Sequence, residues 1–204
     1  GAGLYLWART EFEQPQALIA AMLYVVAPYH LNELYNTFLL AEFFATAIIP
    51  VCFLYLTKAC QNRRWSDIVG LSVAFGMLIL SHLPLTIICS LAMGIYAIIL
   101  LNRNEVLRTL TKLAAAVTAS VVLTSFYWSR WLPELAWITH SSPKYFGTIW
   151  DYRSNFLLLP GHFLNFGEDA SNLWFADILL ISTLLIVIPT AVYLGKDRTL
   201  FTKF

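Results

Sequence analysis

The sequence predicts an all-α fold, a polytopic transmembrane helical bundle with an outer-face cap of loops and short helices. Hydrophobic residues make up 59% of the chain and charged residues only 12%, which is about half the charged share of a typical soluble domain. Several apolar runs approach the length of about 20 residues that a spanning helix needs. The net charge of +1 gives a nucleic-acid partner no electrostatic support, so none is predicted.

The first apolar segments are short or interrupted. Residues 1–8 are predicted to be the end of a helix that begins before the chain does, because this run is too short to span a membrane. The second helix is predicted over 16–27, where Pro28 would end it. The polar and aromatic residues 29–36 are then expected to lie along the membrane interface or to fold back into it.

The middle of the chain alternates long apolar segments with short polar turns. Helices are predicted over 37–57, 67–80, 85–101 and 105–126, and Ser66 is the expected N-cap of the second of these. Because polar turns separate the segments and no soluble domain is visible, we expect successive helices to cross the membrane in opposite directions.

The segment 127–172 is too polar and irregular to cross a membrane, yet apolar segments flank it. Its density of Trp and Tyr argues against disorder, so it is predicted to form the ordered outer cap. A last span is predicted over 173–194, and the chain 1–204 is interpreted as a single membrane domain.

The Lys and Arg residues divide unequally between the two faces that these spans define. Ten of the 13 fall in the basic loops and the C-terminal tail, whereas three fall in the cap. Lys and Arg favour the cytoplasmic side. The basic loops and the tail are therefore predicted to be cytoplasmic, and the 127–172 cap periplasmic or luminal.

Ionisable side chains that topology does not require collect on the outer face. Glu42 lies about 9 Å along its helix from Asn36 at 1.5 Å per residue, and an acid at membrane depth suggests either a functional site or a buried partner. Two interpretations stay open for Glu42: a structural pair with Arg130 or His82, or contact with substrate. Glu33 is interpreted as a general base or as a snorkelling interfacial acid.

Other candidates on this face also allow two interpretations. His82, at a turn between helices, could cap a helix or bind substrate. The sequence Asp151-Tyr152-Arg153 could clamp a phosphate or tie the cap to the helices below. The histidines lack zinc-ligand spacing, so no metal-binding residues are predicted. Five tryptophans also fall on this face: Trp128, Trp131, Trp137, Trp150 and Trp174. They indicate either an interfacial aromatic belt or a surface for sugar stacking or lipid contact.

Four stretches of the chain form a specific pattern when they are taken together. They are Gly3–Arg9, Ala27–Tyr35 with Ala41–Phe43, Ser81–Pro84, and Phe126–Trp128 with Asp151–Phe156. In order and spacing they resemble a bacterial membrane family, the 6-pyruvoyl-tetrahydropterin synthase-related proteins. That family is similar in turn to polytopic glycosyltransferases of the GT-C type.

The chain departs from the pattern of the family at three places. His30 stands where the family has Arg, Thr37–Phe38 where it usually has Arg-Gly, and Leu83 where it commonly has Asn. Family members also begin with further helices and an outer loop bearing an acidic residue. In GT-C enzymes that loop carries the catalytic carboxylate. This chain is expected to begin after the loop, and therefore without that carboxylate.

The resemblance implies transfer of a sugar from a polyprenyl-phosphate donor at the periplasmic face of a bacterial inner membrane. It implies that a carboxylate would deprotonate an acceptor hydroxyl, and that Arg130 or Arg153 would bind the departing phosphate. Glu33 and Glu42 are the candidates for that carboxylate in this chain. The predicted substrate-binding residues are His82, Arg130, Asp151, Tyr152 and Arg153.

The partners and cofactors expected from the same resemblance are membrane lipids, a lipid-linked sugar, and a divalent metal or a bound lipid. The alternative is a non-catalytic structural subunit of a larger integral membrane complex, in contact with other integral membrane subunits. An upstream outer loop with Asp or Glu in the intact gene would favour the enzyme over the subunit, and the sequence leaves that choice open.

Overall fold

A computed structural model describes residues 1–35, 38–62, 64–101 and 104–134 of the chain. Within these ranges the chain is helical and contains no strand. The helices are α1 (Ala2–Ala8), α2 (Gln14–Val25), α3 (Pro28–Tyr35), α4 (Leu40–Gln61), α5 (Trp65–Ser81), α6 (Leu83–Leu100), α7 (Val106–Leu123) and α8 (Ser125–Glu134).

In the described part of the chain, three helices are long and apolar enough to cross a membrane. They are α4 with 22 residues, and α6 and α7 with 18 residues each. The pair α2 and α3 reaches the same length together, with a bend of 41° between them, and α5 is apolar over 17 residues. The predicted all-α membrane bundle is confirmed, whereas the predicted span 173–194 and the cap beyond Glu134 lie outside the described residues.

Prolines and helix termini move several boundaries from their predicted positions. The second helix ends at Val25 rather than at 27, and Pro28, expected to end it, begins α3 instead. A proline fits a first helical turn because its missing N–H would have no partner there. The helix predicted over 37–57 begins later, at Leu40, and continues to Gln61. Lys58 therefore lies in its last turn, where the helix dipole favours a cation.

The boundaries of the next helices also differ from the predictions. Ser66, the expected N-cap, lies inside α5, and Arg64 occupies the N-cap position without a side-chain hydrogen bond. The helix α6 begins before residue 85 because His82 supplies its cap. The helix α7 ends at Leu123 rather than at 126, and α8 then covers the first residues of the predicted cap.

The helices alternate in direction along the chain, as the predicted spans require. Hydrogen bonds and polar contacts near both ends of each pair establish this. The contacts Tyr24–Thr46 and Gln61–Glu11 show that α2 runs antiparallel to α4. The contacts Glu42–His82 and Thr57–Tyr96 show that α6 runs parallel to α4. The contacts Asn62–Lys112 and Ser72–Ser120 show that α7 runs parallel to α5.

This alternation gives the bundle two chemically different ends. One end, called the basic end here, carries Arg9, Lys58, Arg64, Arg108 and Lys112. The other, called the Glu42 end, contains the starts of α4 and α6 and the end of α5. The side of the membrane on which each end lies stays a prediction.

Small residues let α5 and α7 approach closely. Ala116 and Ser120 are one turn apart on α7 and both are buried. The Ser120 hydroxyl lies 2.8 Å from the carbonyl oxygen of Ser72 on α5 and 2.8 Å from that of Ala116. Small faces of this kind are typical of packed membrane helices.

A buried threonine joins α1, α4 and α6 near the basic end. Thr57 is 0% exposed, and its hydroxyl donates to the carbonyl oxygen of Phe53 at 2.8 Å. The indole of Trp7 donates to Thr57 Oγ1 at 3.2 Å. Because the only proton of Thr57 is already used, the Tyr96 hydroxyl at 3.1 Å must donate to it as well.

Replacing this hydroxyl by a methyl group should destabilise the bundle. Thr57→Val keeps the side-chain shape but removes the acceptor for Trp7 and Tyr96, so we expect the free energy of unfolding to fall by about 1–3 kcal/mol. Reversible unfolding of the purified protein in mixed micelles measures this change. The control is Thr118→Val, at an exposed position of α7. An equal loss in both variants would contradict the assigned role of Thr57.

Candidate functional site

Side chains from three parts of the fold meet at the Glu42 end. Tyr29 lies in the first turn of α3, Glu42 in the first turn of α4, and His82 between α5 and α6. The N-terminal turn of a helix favours a negative charge because the helix dipole is positive there, which suits Glu42. The side chains of Glu42 and His82 are 21% and 28% exposed, so a ligand can reach them.

The two carboxylate oxygens of Glu42 have different surroundings. The hydroxyl of Tyr29 donates a hydrogen bond to Oε1, which fixes the orientation of the carboxylate. The other oxygen, Oε2, faces Nε2 of His82 at 3.9 Å. This distance is too long for a direct hydrogen bond, so the contact between Glu42 and His82 is electrostatic.

The position of the proton on His82 follows from its role as a helix cap. Its Nδ1 accepts the backbone N–H of Leu85 at 3.2 Å, at the start of α6. An atom that accepts a hydrogen bond carries no proton, so the neutral imidazole holds its proton on Nε2. The Nε2–H group therefore faces Oε2 of Glu42.

A second layer of polar groups ties α3 to the bundle beneath this site. His30 is buried, and its Nδ1 lies 2.5 Å from the carbonyl oxygen of Tyr24. The rings of Tyr24 and His30 pack edge to face at 4.4 Å between centroids. The Tyr24 hydroxyl donates to the carbonyl oxygen of Thr46 on α4 at 2.6 Å. These contacts give His30 a structural role in holding Tyr29 over α4.

Glu33 lies in a different environment from the one predicted. It is only 4% exposed, so the interpretation as a snorkelling interfacial acid is wrong for this structure. Glu33 follows Tyr29 by one turn of α3. Because α3 packs on α4, this face of α3 is directed into the bundle and the Glu33 side chain is buried. The possible role of Glu33 as a general base stays a prediction.

Of the other predicted substrate-binding residues besides His82, the structure describes only Arg130. Arg130 lies exposed on α8. In the described residues, the electrostatic contact of Glu42 is with His82 rather than with Arg130. Asp151, Tyr152 and Arg153 lie outside the described residues. Among the residues that the structure describes, no group of three His, Cys, Asp or Glu side chains could hold a metal ion.

Sequence reasoning missed the role of Tyr29. The signal was present, because Tyr29 follows Pro28 inside one of the four family-like stretches. A proline that begins a helix places the next residue in the first turn of that helix. The pairing of this residue with an acid 13 positions later could not be seen without the bend between α2 and α3.

One comparison with known proteins confirms the membrane protein family that the four stretches predicted. A family model described as "6-pyruvoyl-tetrahydropterin synthase related domain; membrane protein" matches residues 1–194. The chain belongs to this family of membrane proteins. The match covers α1 to α8 and the predicted span 173–194. Tyr29, Glu42 and His82 therefore all lie in the part of the chain that the family model matches. Neither a curated protein nor a solved structure matches the chain.

Proposed function

We propose that the chain is a GT-C-like membrane glycosyltransferase, or a part of one, that takes a sugar from a polyprenyl-phosphate donor. The observation that supports this best is the arrangement of Glu42. Its carboxylate is half-buried, is oriented by the Tyr29 hydroxyl through one oxygen, and presents the other oxygen toward His82. A carboxylate held in this way is suited to accept a proton from a hydroxyl group.

The proposed reaction is a displacement at the anomeric carbon of the donor sugar. The acceptor oxygen forms a bond to that carbon, and the bond from the carbon to the phosphate oxygen breaks. The polyprenyl phosphate leaves with the bonding electron pair, and the hydroxyl proton passes to Glu42. Arg130 or Arg153 would bind the departing phosphate, because a guanidinium matches phosphate geometry.

The proposed orientation follows from the same two ends of the bundle. Because Lys and Arg favour the cytoplasmic side, the basic end would face the cytoplasm. The Glu42 end would then face the periplasm of a bacterial inner membrane. A donor anchored by its prenyl chain would present its sugar and phosphate at this boundary.

The test uses the full-length gene product in lipid nanodiscs. It is supplied with radiolabelled polyprenyl-phosphate pentoses and hexoses, one at a time, together with an envelope extract as the source of acceptors. We expect label from at least one donor to enter a product that does not form without the protein. If no donor gives such a product, while deletion of the gene disrupts a membrane complex, the structural-subunit alternative replaces the enzyme.

A further inference from the structure

The gap between Glu42 and His82 has a donor on one side and an acceptor on the other. The His82 Nε2–H group and Glu42 Oε2 are 3.9 Å apart. The other polar atom of each side chain is already occupied, Nδ1 by the N–H of Leu85 and Oε1 by the hydroxyl of Tyr29. Both side chains are therefore held by other contacts, and Nε2–H and Oε2 remain as a donor and an acceptor close to each other.

The separation of these two atoms suits one bridging hydroxyl oxygen. An oxygen placed about 2.8 Å from each atom, which is ordinary hydrogen-bond length, would form a triangle on the 3.9 Å side. The angle at that oxygen is about 90°. A hydroxyl has one proton to donate and two lone pairs with which to accept. It could donate to Oε2, accept from Nε2–H, and keep its second lone pair for another atom.

We propose that the space between Glu42 Oε2 and His82 Nε2 is the binding position of the acceptor hydroxyl. This inference rests on the proposed function and names which of the two substrates binds here. The phosphate of the donor does not fit the same position, because it would place a second negative charge against the Glu42 carboxylate. His82 is thus assigned to the acceptor, and the phosphate is bound elsewhere.

The assignment gives each group one role in the transfer. The hydrogen bond from His82 holds the acceptor oxygen, and Oε2 of Glu42 receives its proton as the bond to the sugar forms. The free lone pair of the oxygen attacks the anomeric carbon, and the polyprenyl phosphate leaves with the electron pair of the broken bond. Tyr29 is a positioning residue, because it acts only through Glu42.

The substitution His82→Asn separates substrate binding from helix capping. Asn is among the best N-cap residues, since its side-chain oxygen can accept the same backbone N–H, but it has no group in the place of Nε2–H. We expect the KM for the acceptor to rise about tenfold, as is usual for one lost hydrogen bond. The KM for the polyprenyl-phosphate donor should stay within about a factor of two of the wild-type value. The unfolding temperature should stay within a few degrees of the wild-type value.

His82→Ala provides the comparison. It removes both the cap and the donor, so it should show the same rise in acceptor KM together with a lower unfolding temperature. If the acceptor KM of His82→Asn is unchanged, or if both KM values rise equally, the proposed binding position is wrong.

A second measurement decides the inference even if the proposed function fails. Water is the simplest hydroxyl compound and serves as the probe in an experimental structure of the full-length protein at a resolution that shows ordered water. We expect one oxygen that bridges Glu42 and His82, and its loss in His82→Asn. If wild-type protein transfers no sugar but this oxygen is present, the pair still binds a hydroxyl oxygen, although not that of a sugar acceptor, and the transferase proposal fails. Direct contact between the carboxylate and the imidazole, with no bridging oxygen, would overturn the inference.

Discussion

Glu42→Gln is expected to lower the rate of sugar transfer by about a thousandfold, within the range that general-base catalysis contributes. The amide has the shape of the carboxylate, and its oxygen can still accept the hydrogen bond from Tyr29. It cannot take up a proton at neutral pH. The fold should therefore be preserved while proton removal from the acceptor is lost. Initial rates at saturating donor and acceptor measure this effect, with the protein in nanodiscs.

Two further variants make the result for Glu42 specific. Glu11→Gln is the matched control, since Glu11 lies exposed near the basic end, next to Gln61, and its rate should equal that of the wild type. Glu33→Gln tests the other predicted base. A loss below tenfold in Glu42→Gln combined with a large loss in Glu33→Gln would move the base from Glu42 to Glu33.

Gly70→Leu is expected to lower the free energy of unfolding by about 3 kcal/mol, at the upper end of the usual range for overpacking, here at a half-buried contact between two helices. Helices α4 and α5 approach so closely at this glycine that an added Cβ would lie 2.3 Å from Cε1 of the Tyr55 ring. Two neighbouring ring carbons lie within 2.7 Å of the same point. The Tyr55 ring would have to leave its position. Its contact with Lys58, whose Nζ lies 5.7 Å from the ring centroid, would then be lost as well.

The matched control is another glycine within a helix. An added Cβ at Gly94 in α6 would meet no atom within 4 Å, so Gly94→Leu should leave stability unchanged or raise it, because Gly is a poor helix former. Adding Tyr55→Ala to Gly70→Leu should recover part of the loss. Unfolding in mixed micelles measures all three variants. A similar loss at both glycines would show that chain flexibility, rather than the contact with Tyr55, controls the effect.

The sequence predicted the helices well where hydrophobic length alone decides them. The apolar runs around α4, α6 and α7 have about the length of a spanning helix, in which all backbone hydrogen bonds lie within one segment. Boundaries were less predictable because they depend on single side chains. Pro28 can end one helix or begin the next, and only the packing of α3 on α4 decides between these outcomes.

The sequence identified Glu42 and His82 as residues of the candidate site, but it could not show which side chains contact each other there. Glu42 and His82 were identified because ionisable groups are rare in apolar surroundings. The sequence left Arg130 and His82 as equal candidates for pairing with Glu42, and the turn between α5 and α6 brings His82 there. The burial of Glu33 could not be foreseen either, because it depends on the face that α3 turns toward α4.

The position of His82 has a consequence for how local structure and charge depend on each other. The residue ends α5 with its backbone N–H, which donates to the carbonyl oxygen of Leu78 at 3.1 Å, and begins α6 with its imidazole. An imidazolium ion has a proton on both nitrogens and can accept no hydrogen bond. A positive charge on His82 would therefore break the side-chain hydrogen bond that caps α6. The junction between α5 and α6 therefore depends on the charge of a single imidazole ring, which caps α6 only when it is neutral.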